Sequence, residues 1–288
     1  MSIVPQLILN SVVIGSVYVL VALGFWMVYN AAKFFNLAHG LVGLAGAYFV
    51  YFVTTNFGLN MYPAIILGIL FSGLLGLALE KFIFLPLRRN KASSLVQLVA
   101  SLGALTVMQA ILAMIFSTRF HTIANLIPNQ KIYTLFGGTI TQIQVITFIF
   151  AILCFSLVVL LLKKTKLGLS IMAINDDEEV AKIVGIDTNK IIGYVFFIGS
   201  CLAGLAGILY GLDTGLEPTI GLNFLLFPAM AAIIGGIKSI RGVLLGCFIL
   251  ALVENFGIWQ ISGEWRGAIA FSLLIIFLIF RPQGLIKE

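Results

Sequence analysis

Residues 140–190 read ITQIQVITFIFAILCFSLVVLLLKKTKLGLSIMAINDDEEVAKIVGIDTNK. From Ile140 to Leu162 no charged side chain interrupts 23 residues. At 1.5 Å of rise per residue that length crosses a hydrocarbon layer of about 30 Å. Lys163, Lys164 and Lys166 follow at once and open a polar stretch that runs to Lys190. An apolar run closed by basic residues is the pattern of a membrane helix that ends on the cytoplasmic side of a bilayer.

Working outward, eight further windows meet the same requirement in whole or in part: Ile3–Tyr29, Leu41–Phe57, Tyr62–Leu85, Ser94–Phe116, Ile191–Leu212, Phe224–Gly236, Gly242–Ile261 and Gly267–Phe280. Three of these are short, so the expected count is about nine spans, within a range of eight to ten. The 224–236 window also fits a re-entrant segment. The first window lacks a basic leader and is longer than a signal-peptide core, so it is read as a retained span. The whole chain agrees: 61% of its 288 residues are apolar and 10% charged, against about 45–50% and about 25% in soluble proteins. A water-soluble globule is excluded, because it could not clothe its exterior with so few polar side chains. The expected fold is an all-α polytopic bundle forming one membrane domain over residues 1–288.

The formal charge of +6 raises nucleic acid as a partner, but the 17 basic residues fall in short clusters between apolar runs. With the N-terminus outside, fourteen of them lie on the inner side, from Lys33 to Lys287, and three, Arg119, Lys131 and Arg266, on the outer. The bias predicts an outside N-terminus and a cytoplasmic C-terminus. Cys154, Cys201 and Cys247 sit inside apolar runs without paired spacing, so neither disulfides nor a metal site is expected.

Five groups of residues stand out. In the loop 163–190, Asn175 or Asp176 is placed to cap a short helix whose first turn carries Asp177, Glu178 and Glu179, and Gly185 offers a left-handed stop. Val180, Ile183 and Val184 then share one face, with Lys182 in reach of Glu178. This face fits either docking of a cytoplasmic partner or packing against the chain's own bundle or lipid headgroups. Asn36-Leu37-Ala38-His39-Gly40 interrupts the apolar pattern between the first two spans and reads either as a broken helix lining a path, through Asn36, His39 and Gly40, or as a braced turn. Glu254 lies about 18 Å into its span and is either a functional ionisable group or one half of an interhelical hydrogen bond. Asp213 and Glu217 fall at an outer edge and are read as solvated. Gly199, Ala203, Gly207 and Gly211 recur every four residues, as do Gly68, Ser72 and Gly76, which lets helix backbones approach closely.

Gly235-Gly236-Ile237-Lys238-Ser239 lacks the spacing of a phosphate-cradling loop, and no H-E-x-x-H or G-x-S-x-G occurs. No cofactor or metal is expected and an enzyme is disfavoured. A stand-alone channel or a proton-coupled carrier using Glu254 remains an alternative.

The motifs in order carry a resemblance over about Pro5 to Leu285. Gly15-Ser16-Val17-Tyr18 and Ala22-Leu23-Gly24 precede Asn36-Leu37-Ala38-His39-Gly40 and Gly46-Ala47-Tyr48. Leu85-Pro86-Leu87-Arg88, Ser101-Leu102-Gly103, Leu202-Ala203-Gly204-Leu205-Ala206-Gly207 and Gly235 to Gly242 follow, before Gly246 and Glu254. The chain resembles the permease subunits of branched-chain amino acid ABC importers and the related urea and amide permeases. It departs from them at Leu85, where the family usually has arginine, and at Lys238 and Arg241, where small or neutral residues are common. The resemblance implies an importer permease in a bacterial inner membrane that pairs with a second, similar or identical subunit. It also implies two cytoplasmic ATPase subunits and a periplasmic or extracellular binding protein. The stretch Gly168–Gly185 resembles the family's coupling loop, which assigns ATPase coupling to Asp176, Asp177, Glu178, Val180, Ala181, Ile183, Val184 and Gly185. Both a branched-chain amino acid and urea or a short-chain amide fit as substrate.

Overall fold

The computed structural model describes residues 3–123 and 130–286. Nine of its helical segments are long and apolar enough to span a membrane among the described residues. They are α1 (Ile3–Ala32), α2 (His39–Phe57), a composite of α3 (Met61–Leu79), a π-helical turn (Glu80–Phe84) and α4 (Leu85–Arg89), and then α5 (Ser94–Phe116), α6 (Gln142–Lys164), α9 (Thr188–Asp213), α10 (Gly221–Gly235, entered through a 3-10 turn at Pro218–Ile220), α11 (Ile240–Gln260) and α12 (Arg266–Phe280, entered through a 3-10 turn at Gly263–Trp265). Between α6 and α9 lie two short helices, α7 (Lys166–Asp176) and α8 (Glu178–Ile183).

The bundle has two distinct ends. At one, Lys33 Nζ donates to the carbonyl and Oδ1 of Asn175 at 2.6 Å, Trp26 Nε1 donates to the Ile237 carbonyl at 2.7 Å, and the amides of Leu285 and Ile286 bond the carbonyls of Ile234 and Gly235. This end therefore gathers the α1–α2 turn, α7, the α10–α11 turn and the chain's last described residues. Lys287 lies outside the described residues. At the opposite end Gln6 clasps Thr139, and the His121 and Leu216 backbones form an antiparallel bridge. The segment from Leu216 through α10 to Gly236 runs from that end of the bundle to the first, which is the course of a full span and not of a re-entrant segment.

Two local features were not expected from the pattern. Ile132–Leu135 and Gly138–Thr141 pair as an antiparallel hairpin, β1 and β2, turned through Phe136 and Gly137 at φ 51° and 87°. Two successive positive φ values match the twist of a tight hairpin, and glycine carries one of them without strain. Ile140 thus belongs to a strand, and the span starts at Gln142, where Thr141 and Gln144 form a capping box. The third span also outruns its expected end at Leu85: the helix winds through the π turn to Arg89, where Arg88 Nη2 meets the buried Glu80 Oε1 at 2.6 Å.

α9 is the hub, enclosed by α1, α2 and α3. On α12, by contrast, only Ala270 is buried, while Phe271, Ile275, Ile276 and Ile279 are exposed. A water-soluble chain would bury such a helix; here its outward apolar side chains suit a lipid or subunit environment.

Candidate functional site

The loop 163–190 is tied to the bundle at both ends. Thr165 caps α7, and Asp187 caps α9. Asp177, not Asn175 or Asp176, is the N-cap of α8: its Oδ1 accepts from the amides of Glu179 at 2.8 Å and Val180 at 3.1 Å. Asp176 instead closes α7, because Asp177 turns to φ −156° and breaks the helix between them. Gly185 stops α8 at φ 88°, and Lys182 pairs with Glu178 at 2.7 Å. Ala181 faces the protein at 1% exposure, while Val180, Ile183 and Val184 stand out at 54%, 83% and 69%. Of the two readings for this face, packing against the chain's own bundle is therefore not what the geometry holds.

Asn36, His39 and Gly40 are all buried where α1 gives way to α2. Asn36 Oδ1 accepts from the Ala38 amide at 3.2 Å, and the Leu37 amide donates to Ser101 Oγ on α5 at 3.0 Å. The turn is therefore braced, but by Asn36 and Ser101. Neither ring nitrogen of His39 has a hydrogen-bond partner among the described residues. The ring lies against Gly24: a Cβ placed there would be 2.8 Å from Nε2. Gly40 meets the Gly221 carbonyl on α10.

The four-residue repeat on α9 makes these approaches possible. Gly199 lies over the Gly24 carbonyl of α1, 2.9 Å from where its Cβ would stand, and Ala203 and Gly207 meet Gly43 of α2. On the other side, Gly204 and Ser200 receive Ser72 and Gly76 of α3, while Gly211 abuts Leu216 and Ile123. Both small-residue stripes therefore serve packing within this chain.

Glu254, on α11, is fully buried and reaches across to two other helices. Tyr18 Oη on α1 donates to its Oε2 at 2.7 Å, and Arg266 Nε at the start of α12 lies 3.3 Å from the same oxygen. Oε1 has no partner among the described residues. Tyr18 and Arg266 are also part of the wall of a cavity of about 560 Å³ between α1, α9, α10 and α12. Asp213 lines it too, held by Gln144 Nε2 at 3.2 and 3.3 Å, so this carboxylate is positioned and not merely solvated. Glu217 accepts from Thr219 Oγ1. Sequence reasoning marked Glu254 and passed over Arg266, which is separated from it by a turn and a loop; the one available signal was that Arg266 is among the few basic residues expected outside.

At the other end, Lys33, Lys163, Lys238 and Arg241 surround a second cavity of about 790 Å³, with Asp176 among them and Trp26 and Tyr29 in its wall. Partial burial pulls the Lys33 ammonium below the ordinary lysine range; Asp176 opposes that shift and Lys238 adds to it.

With this geometry in hand, the profile of the family described as "Branched-chain amino acid transport system / permease component" matches residues 7–278. The chain belongs to this family. Among similar proteins, the high-affinity branched-chain amino acid transport system permease protein BraD of Pseudomonas aeruginosa is 30% identical, over 98% of this chain and 95% of its own. LivH of Escherichia coli, named for the same kind of system, is 28% identical over 98% and 94%. A probable LivH of Methanocaldococcus jannaschii is 25% identical over 96% and 90%. The solved structure of PsaBC from Streptococcus pneumoniae in complex with Fab has the same fold at a TM-score of 0.52 and 15% identity, covering 98% of this chain and 93% of that one. The protein is the permease subunit of an ABC importer, a multi-pass membrane protein that works with ATPase and substrate-binding partners. Lys238 and Arg241 both lie on the basic cavity.

Proposed function

We propose that this permease carries branched-chain amino acids through a bacterial inner membrane. One permease domain over residues 1–288 pairs with a second, similar or identical subunit, and a periplasmic or extracellular protein delivers the substrate. The permease itself is not an enzyme; two cytoplasmic ATPase subunits drive it. The end carrying α7, α8 and the basic cavity faces the cytoplasm and the hairpin end faces outward, in keeping with the fourteen-to-three division of basic residues.

The observation that carries the coupling role is the exposed apolar face of α8. Val180, Ile183 and Val184 form a hydrophobic anchor on a capped, six-residue helix with Asp176, Asp177 and Glu178 at its entry, Ala181 at its root and Gly185 at its stop. Thr188 begins the hub helix five residues after Ile183. A push on α8 is thereby delivered to α9 and, through its small-residue contacts, to α1, α2 and α3. Alternating access then follows from two packings of the bundle, one favoured by nucleotide on the ATPases and the other by the loaded binding protein. Asn36, His39 and Gly40 belong to that moving contact between α1, α2 and α10, and Glu254 supports the outer part of the path. A stand-alone carrier that takes up protons at Glu254 is less well supported, because Tyr18 and Arg266 both engage its carboxylate.

The test is Val184→Asp. The variant is expected to insert and purify as wild type yet lose co-purification with the ATPases, since a buried unpaired carboxylate in an apolar interface is strongly unfavourable. Unchanged co-purification would remove the docking role.

A further inference from the structure

The cavity at the hairpin end has the components of a receptor for a zwitterion. Arg266 holds its guanidinium against Glu254 by one nitrogen, and its terminal amino groups donate no hydrogen bond among the described residues. α12 continues from the 3-10 turn at Gly263–Trp265, whose Gly263 carbonyl accepts from the Arg266 amide, and Glu264 of that turn and Gly267 line the cavity beside Arg266. A guanidinium with both terminal amino groups unengaged is a fit for a carboxylate, which accepts two parallel bonds from it. Asp213 and Glu264 contribute the opposite charge to the same wall, and Asp213 stands on α9 across from the start of α12. Ile14, Val17, Phe227 and Phe271 supply apolar surface.

We propose that this cavity is a transit site for α-amino acids, with Arg266 receiving the carboxylate, Asp213 the ammonium and the aliphatic and aromatic wall the side chain. The proposal rests on the amino acid reading above and sharpens it. Urea or a simple amide is neutral and gains little from charged groups whose desolvation costs free energy, whereas a zwitterion engages both signs. Glu254 and Tyr18 are positioning residues: they fix the guanidinium from behind, so that its outer edge faces the cavity. The buried glutamate thereby acquires a role that needs no proton transfer.

The experiment uses the complete importer, with its ATPases and binding protein, in proteoliposomes supplied with labelled leucine or labelled urea. The paired variant Glu254→Gln/Arg266→Gln removes both charges and leaves no lone buried ion. It is expected to slow leucine uptake by about tenfold or more, the loss of a charge-assisted pair, while ATP hydrolysis by the assembly persists. Asp213→Asn, which keeps an acceptor for Gln144, is expected to raise the KM for leucine several-fold. Thr214→Cys on the cavity wall is expected to react with a sulfonate thiol reagent more slowly when leucine is present, not when urea is present, and the protection disappears with Arg266→Gln. Leucine uptake equal to wild type in both the paired variant and Asp213→Asn, or labelling indifferent to leucine, would overturn the site and leave the amino acid reading standing. A wild-type importer that moves urea and not leucine would overturn that reading and the zwitterion with it.

Discussion

α8 and α9 are neighbours in the chain and differ in what they leave uncovered. α9 turns its glycines, alanines and serines inward and packs them against backbone, while α8 turns valine and isoleucine outward. In water the first pattern would be weak and the second aggregation-prone. In lipid the hydrophobic effect gives helices no reason to associate, so α9 earns its contacts through close approach. α8 stands outside the spans, and its bare apolar face is a deficit that only another surface can meet. Rigid packing in one element and an unmet contact in the next are the two properties a transmission needs.

The sharpest way to break this contrast is Gly207→Leu. Any Cβ at this position meets the Gly43 carbonyl, so α2 and α9 must separate, at a cost of at least about 3 kcal/mol. Loss of the monodisperse peak on size exclusion in detergent is expected; a folded, active variant would mean the two helices do not hold that contact. Glu254→Ala comes next, at about 2–3 kcal/mol, because it strands Arg266 and the Tyr18 hydroxyl. A lowered midpoint of thermal unfolding checks it, and partial recovery in Glu254→Ala/Arg266→Ala would localise the effect to the pair. Asp177→Ala removes two capping bonds from α8 and is expected to cost about 1 kcal/mol locally, visible as faster hydrogen exchange in residues 178–183 with the spans unaffected. Val180→Ser is expected to shift stability by no more than about 0.5 kcal/mol while weakening ATPase binding. A large loss of stability there would show that α8 packs on its own bundle after all.

The smallest effect concerns pH. Lys33 holds Asn175 one residue before the end of α7, and its folded-state pKa lies below the unfolded value. The unfolded chain therefore binds more protons in the interval between the two, and stability rises with pH there. The burden is fully present below the folded pKa and fades as the solution approaches the ordinary lysine range. A slightly positive slope of unfolding stability against pH in wild type, flattened in Lys33→Met, is the expected result.

Much of this arrangement is legible in the residues alone. The span windows fall within a few positions of the helices, because 20 or so apolar residues have no other stable state in a bilayer. Lys182–Glu178 and the Gly185 stop follow from local spacing. The cap is Asp177, one residue past the later of the two candidates, since Asn175, Asp176 and Asp177 are all competent caps and only the exit angle of α7 selects among them. The hairpin at 132–141 escaped notice because four-residue strands are too short for periodicity to register. The buried Glu80–Arg88 pair depends on a π turn that no local pattern announces.

Composition and order of motifs determined by themselves that this chain is a membrane bundle of the importer permease family with one amphipathic helix in its longest polar loop. Those properties are local or cumulative, and each residue contributes to them without reference to a distant one. Tertiary structure alone decided that Glu254 holds Arg266 and Tyr18, that His39 is enclosed without a hydrogen-bond partner among the described residues, and that the glycine stripe of α9 is used within the subunit. These are meetings between residues far apart in sequence, fixed by how closely three helices can approach, and the chain's one-dimensional pattern records the small residues but not which backbone each of them admits.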